Sequence, residues 1–266
     1  MQPASTRIFS TLLLITFVVL SVGLYSDSTH AQQTTPAQDR VVIQRRRIVL
    51  RRPPKIARQF PNRKTAVVVY PVISGLSDPE VLRKVRATLS FKNIFDYTLD
   101  EYRNDSWLSE FGYTVNYNRD SMLDITFRQS GMAAYPVEQE KHFLIDLRNG
   151  QIVKAADVFE AGKLNELTAL ADQALQKEIT RLAKENAASR DDADQKESIK
   201  GAYENLKFEQ QNLDDFIVGP KGLTFLYDAG FPHVIQALQP GGRYFFSYTA
   251  LKDFIRRDGL LGRFKN

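Results

Sequence analysis

The chain has 266 residues, 43% of them hydrophobic, enough for a sizeable core in one large domain or two small ones. It contains no cysteine, which excludes disulfides and cysteine-based zinc or iron–sulfur sites and leaves stability to packing. The formal charge of +5 is unevenly placed: ten Lys and Arg and no acid lie between Arg40 and Lys64, and the chain beyond Lys64 is net acidic.

Arg7 precedes an apolar run from Ile8 to Tyr25, and Thr29 and Ala31 place small residues at the −3 and −1 positions of a cleavage point. This order predicts a signal peptide over residues 1–31, cut after Ala31. An uncleaved anchor is the alternative, because the run is just long enough to span a bilayer. Both predict an exported protein, periplasmic or extracellular. The lack of cysteine favours a bacterial envelope.

Residues 32–64 form a basic arm. Arg alternates with Val, Ile and Leu before Pro53, Pro54 and Pro61 break the run. Like charge and proline at this density predict an unpacked segment. Arg45, Arg46, Arg47, Arg51 and Arg52 are the candidate polyanion-binding residues, through which residues 40–64 would touch a membrane surface or an anionic polymer. A plain linker is the simpler reading. Nucleic acid is not an expected partner outside the cytoplasm.

The body is predicted to run from 65 to 258, with a tail at 259–266. Thr65 to Gly75 is rich in β-branched residues and reads as a strand. Asp78 and Pro79 then open a helix whose apolar stripe runs from Val81 to Phe95. Phe111, Tyr113, Val115 and Tyr117 alternate with Thr114, Asn116 and Asn118, and Met122, Asp124, Thr126 and Arg128 alternate with Leu123, Ile125 and Phe127. Asn118 to Asp120 supplies the turn, so this is a hairpin. A second hairpin turns at Asn149-Gly150, with Lys141, Phe143, Ile145 and Leu147 on one face and His142, Leu144 and Asp146 on the other. Asp157 is placed to cap a short turn, and Leu164 to Ala188 forms the longest helix. Residues 188–212 are polar and mark a possible seam between two halves. Phe216 to Tyr227 forms a third hairpin, and a last strand leads into a short helix that Thr249 would cap. Strands and helices do not alternate regularly, which predicts an α+β fold with a mainly antiparallel sheet and two main helices.

Chemistry is sparse. His142 lies mid-strand beside Asp146 and reads as structural; His233 lies in a loop after Pro232. Asp214 and Asp215 point to opposite sides of a strand and cannot share a proton. Asp191, Asp192 and Asp194 lack the glycine and closing glutamate of a calcium loop. The glycine turns at 219–222 and 240–243 do not open a helix as a phosphate cradle does. No catalytic residue, metal site or cofactor is expected. Among the aromatics, Phe111, Tyr113 and Tyr117 read as one buried strand face, and Trp107 as the exposed member able to anchor an interface or stack on sugar.

Several of these short motifs together resemble one envelope family. They are Phe143-Leu144-Ile145-Asp146-Leu147, Asn149-Gly150, Asp157-Val158-Phe159, Phe216-Ile217-Val218, Gly222-Leu223, Phe225, Tyr227, and Tyr248 through Leu251 to Phe254. The chain resembles, from Val67 to Ile255, the extracytoplasmic domain of unknown function shared by RsiV-type anti-sigma factors and PdaC-type peptidoglycan deacetylases. The resemblance implies a module that senses a lysozyme-like protein or rests on cell-wall glycan. The family's histidine-bearing loop reads here Gly131 to Pro136, with Tyr135 in place of the histidine. Seven residues precede the apolar run and the sequence ends at Asn266, so the expectation is the accessory domain alone. The expected function is non-enzymatic binding of an envelope protein or cell-wall glycan through Trp107, Met132, Tyr135 and His233. A cell-wall hydrolase, or a subunit of one, is the alternative, and an anionic-polymer tether through the arm a third.

Overall fold

The computed structural model describes residues 39–188 and 200–265. The predicted leader at 1–31 and the acidic run at Asp191, Asp192 and Asp194 lie outside the described residues. All elements below belong to one unit, Ala37–Asn266.

Six strands form the larger sheet: β1 (Val42–Arg51), β2 (Thr65–Ser74), β3 (Leu108–Arg119), β4 (Met122–Met132), β5 (Pro136–Asp146) and β6 (Gln151–Ile152), in that spatial order. Every neighbouring pair is antiparallel except β2–β3, which meet in parallel at Val67–Glu110 and Val68–Phe111. A smaller antiparallel sheet contains β7 (Phe216–Val218), β8 (Gly222–Leu226) and β9 (Arg243–Ser247). The α+β class with mainly antiparallel pairing stands as expected.

The β2–β3 crossover carries α2 (Pro79–Thr88), α3 (Phe91–Phe95) and α4 (Leu99–Asn104). The single predicted stripe, Val81 to Phe95, is thus divided between two helices, and a third follows it. Asp78 caps the first, accepting from the backbone N–H of Glu80 and Val81. Asp96, at φ 60°, ends the second, and a capping box of Thr98 and Glu101 starts the third. Periodicity survives these breaks because all three bury the same side: Val81, Val85, Leu89, Ile94 and Tyr102 lie against Val68, Phe111, Ile125, Phe127 and Phe143 of the sheet.

The sheet's other face is covered at one end only. There Tyr117, Met122 and Leu144 join the core made by the smaller sheet and α6 (Leu164–Ala188), with Leu167, Leu175, Phe216 and Phe225. Simple alternation would put Tyr117 beside Phe111 and Tyr113. A register shift between Val115 and Tyr117 inserts one residue and turns it to the opposite face.

Four boundaries differ from expectation. The basic arm is not a linker: all ten residues of β1 pair with β2, from Val42–Ser74 to Arg51–Thr65, and Leu50 is buried. The arginines are tolerated because they lie exposed on an edge strand, where charge opposes strand-to-strand aggregation. Pro54 fits the first position of α1 (Pro54–Gln59) rather than breaking structure. The tail is packed: Leu261 is buried, and Phe264 stacks on Tyr248 at 4.0 Å. Residues 188–212 do not divide two halves, since α6 before them, Phe208 within them and Leu213 after them share one core. The last short helix, α7 (Tyr248–Leu251), is capped by Ser247 instead of Thr249.

Asn149-Gly150 ends a four-residue turn, 147–150, with Gly150 at φ 74°, and Asp157 caps the start of α5 (Ala155–Val158) by accepting from Lys154 N–H at 2.8 Å. Among the described residues no helix is long and apolar enough to cross a membrane.

Candidate functional site

The uncovered part of the sheet forms one wall of a cleft of about 820 Å³. The other walls are the end of α3 and the loops from Leu226 to Arg243. Alternation sends Glu138, Glu140 and His142 of β5 to this face, beside Thr126 and Arg128 of β4. The lining mixes planar amides (Asn93, Gln139, Gln236, Gln239) with rings (Phe95, Tyr227, Phe231) and charges of both signs.

At the inner end stands a clamp that joins the two sheets. His142 Nε2 lies 2.9 Å from Asp124 Oδ1, and Nδ1 lies 2.7 Å from Asp215 Oδ1. Asp124 is fully buried and also accepts from Val218 N–H at 2.6 Å and from Asn116 Nδ2 at 2.7 Å. The His142 side chain is 4% exposed and that of Asp215 is 54% exposed. Burial alone would lower the imidazole pKa, but hydrogen bonds and charge from Asp124 and Asp215 reverse this and push it up to about 9. His142 is therefore an imidazolium at neutral pH, with both N–H groups committed. Such a group can position and neutralise; it cannot accept a proton from a substrate. Nor can its neighbours gather a metal, because the two carboxylates sit at opposite ring nitrogens. Among the described residues no cluster of three or more His, Cys, Asp or Glu could hold a metal ion.

Further out, Glu140 bridges two cations. Arg128 Nε donates at 2.9 Å and Arg243 Nη2 at 2.6 Å. Burial favours the neutral acid, but the two guanidinium groups hold Glu140 below the usual carboxylate range. The Glu140–Arg243 pair, from β5 to β9, is a second link between the two sheets.

Of the four expected ligand contacts, Tyr135 and His233 come together. Their rings lie 4.5 Å apart at 34°, and Tyr135 is 61% exposed. Tyr135 stands just before the Glu138–Gln139 wall of the cleft, and the turn opened by His233 supplies Gln236. Met132 is exposed at the end of β4, where the loop to β5 begins, with its carbonyl accepting from Arg63 Nη1 at 2.6 Å. Trp107 is not the exposed anchor expected. Half-buried, it packs 6.0 Å from Tyr97 and 6.1 Å from Tyr102, and its carbonyl accepts from Met132 N–H at 2.8 Å.

The five arginines expected to bind polyanion are dispersed by the strand. Arg45, Arg47 and Arg51 share one side of β1 by alternation, and Arg46 points to the other. Arg52 is buried and donates to Leu108 O at 2.6 Å, so it is structural.

Strand spacing pairs His142 with Asp146 and misses Asp124 and Asp215. Asp146 instead binds Arg148 at 2.8 Å. The usable signal is cross-strand: with Thr126 opposite His142, Asp124 is its diagonal neighbour on the same face. Asp215 is far along the chain, and no local pattern points to it.

No protein-family model and no curated protein matches the chain. Solved structures do. A member of the DUF3298 family from Bacteroides fragilis superposes with a TM-score of 0.51 at 12% identity, covering 86% of this chain and 98% of that one. A DUF3298 family protein from Pseudomonas aeruginosa gives 0.44 at 11% identity, over 82% of this chain and 94% of that one. The fold and cleft define an α+β two-sheet protein with a polar interior cleft. At 12% identity the Bacteroides likeness is one of fold, that of a domain of unknown function.

Proposed function

We propose that this chain is an exported, non-catalytic cell-envelope module that holds cell-wall glycan in the cleft between its sheets. The observation that carries the reading is the cleft itself. It offers amides and rings, the pairing that sugar hydroxyls and sugar faces require, and its one histidine is locked between two carboxylates. The exposed Tyr135–His233 pair beside the cleft gives a stacking platform. The motif resemblance to the domain of PdaC-type deacetylases and RsiV-type anti-sigma factors, and the leader-like residues 1–31, support an envelope setting.

Co-sedimentation of the full chain with purified peptidoglycan sacculi tests this. Saturable binding without released sugar or peptide is expected, and the Tyr135→Ala, His233→Ala double variant should bind roughly tenfold more weakly, the scale of one lost stacking contact. Released product would favour the hydrolase. Binding to lysozyme with none to sacculi would make the partner a protein.

A further inference from the structure

The same sheet face carries a second hollow that the cleft alone does not explain. A groove of about 460 Å³ runs across β1 to β5, and it shares Thr126 and Glu140 with the cleft. The two hollows are therefore adjacent, meeting at Thr126 and Glu140. Arg45 and Arg47, two residues apart on β1, both line the groove, as does Glu110 of β3. Among the described residues neither forms an ion pair, whereas Arg128 in the groove is paired with Glu140 and Glu138. Hydroxyls of Thr114, Thr126 and Ser130 line the floor. Gly112 opens it further, since a Cβ built there meets no heavy atom within 4 Å.

We propose that the ligand is an acidic, carboxylate-bearing glycan chain that leaves the cleft along this groove, and that Arg45 and Arg47 receive its carboxylates. This rests on the glycan reading above and specifies its charge. Guanidinium groups suit carboxylates because they offer paired N–H donors in one plane. A flat, hydroxyl-lined strand face with a missing side chain suits an extended sugar chain. Unpaired arginines on an exposed face also give salt-sensitive capture.

Soluble peptidoglycan strands, and the same strands with their carboxylates converted to amides, isolate the charge. Calorimetry on the full chain is expected to show about tenfold tighter binding to the untreated strands at low salt, a preference that shrinks as salt rises. The Arg45→Gln, Arg47→Gln double variant should bind both strands alike, at the wild-type level for the amidated one, and Arg45→Lys, Arg47→Lys should restore part of the preference. Gly112→Gln should weaken both without loss of melting temperature, because a strand-interior glycine is itself destabilising. Equal wild-type affinity for the two strands, or a double variant that still discriminates, overturns the charge assignment and leaves glycan binding intact. No binding to either strand overturns both.

Discussion

His142→Leu should destabilise the fold by about 3–5 kcal/mol, because it strands a buried carboxylate. Asp124 would keep only Val218 N–H and Asn116 Nδ2, at 0% exposure, after losing the cation that neutralises it. The damage is not local. Asp124 lies on β4, His142 on β5, and Asp215 leads into β7, so the clamp fastens the small sheet to the large one. Denaturant unfolding measures the loss. Removing both charges together, His142→Leu with Asp124→Leu, should recover much of it, since a well-packed apolar pair can replace a buried ion pair. A loss below about 1 kcal/mol in the single variant would mean that water or another cation already serves Asp124.

The same clamp sets a pH dependence. The folded pKa of about 9 lies above the ordinary value of 6.5, so folding favours the protonated ring. Its contribution, about 3 kcal/mol, is fully present below pH 6.5 and is lost as pH rises through 9. The wild type should therefore lose stability between these limits relative to a His142→Gln variant, which has nothing to titrate there. A difference that stays constant with pH would show that His142 is neutral in the folded protein.

The hairpins were legible from local chemistry, alternation over β4 and β5 and polar turn residues, but their loops are placed differently: the first turns at Asp120-Ser121, both left-handed and one step beyond the expected Asn118–Asp120, and the second is a four-residue loop, 147–150, closed by left-handed Gly150. The long helix was legible to the residue for the same reason. What the sequence concealed was everything that depends on a distant partner. The basic strand looks unfoldable until β2 is found along its whole length, since Arg45 to Arg47 are acceptable only at an edge. Tyr117 looks like a neighbour of Tyr113 until one inserted residue reverses it. The candidate site was half legible. Tyr135 and His233 stand out separately as loop residues, and the fold places one on the other. The cleft itself could not be read, because its walls come from α3, β5 and the 226–243 loops.

The adjacent glycines of the Pro-Gly-Gly-Arg turn are indistinguishable in sequence, yet replacing them should give opposite results. Gly242 sits at φ 65°, and a Cβ there would come within 2.0 Å of Tyr227 O. Both the backbone conformation and the space exclude a side chain. Accommodating one must break the bond from Tyr227 N–H to Gly242 O, now 2.9 Å, which docks this loop onto the end of β8 and shapes the cleft. Gly241 has an ordinary φ, and its Cβ would meet only Glu178 Oε1, the tip of a flexible side chain, at 3.3 Å. Gly242→Ala is expected to cost about 3 kcal/mol, or roughly 6–12 °C in melting temperature for a body of this size. Gly241→Ala should remain within about 0.5 kcal/mol of the wild type. Differential scanning calorimetry on the two variants separates them, and equal melting temperatures would mean that the loop docks by some contact other than the Tyr227–Gly242 bond. Both glycines line the cleft, but only Gly242→Ala breaks the bond that shapes it, so that variant should also lose affinity for sacculi below its own melting temperature, while Gly241→Ala keeps it.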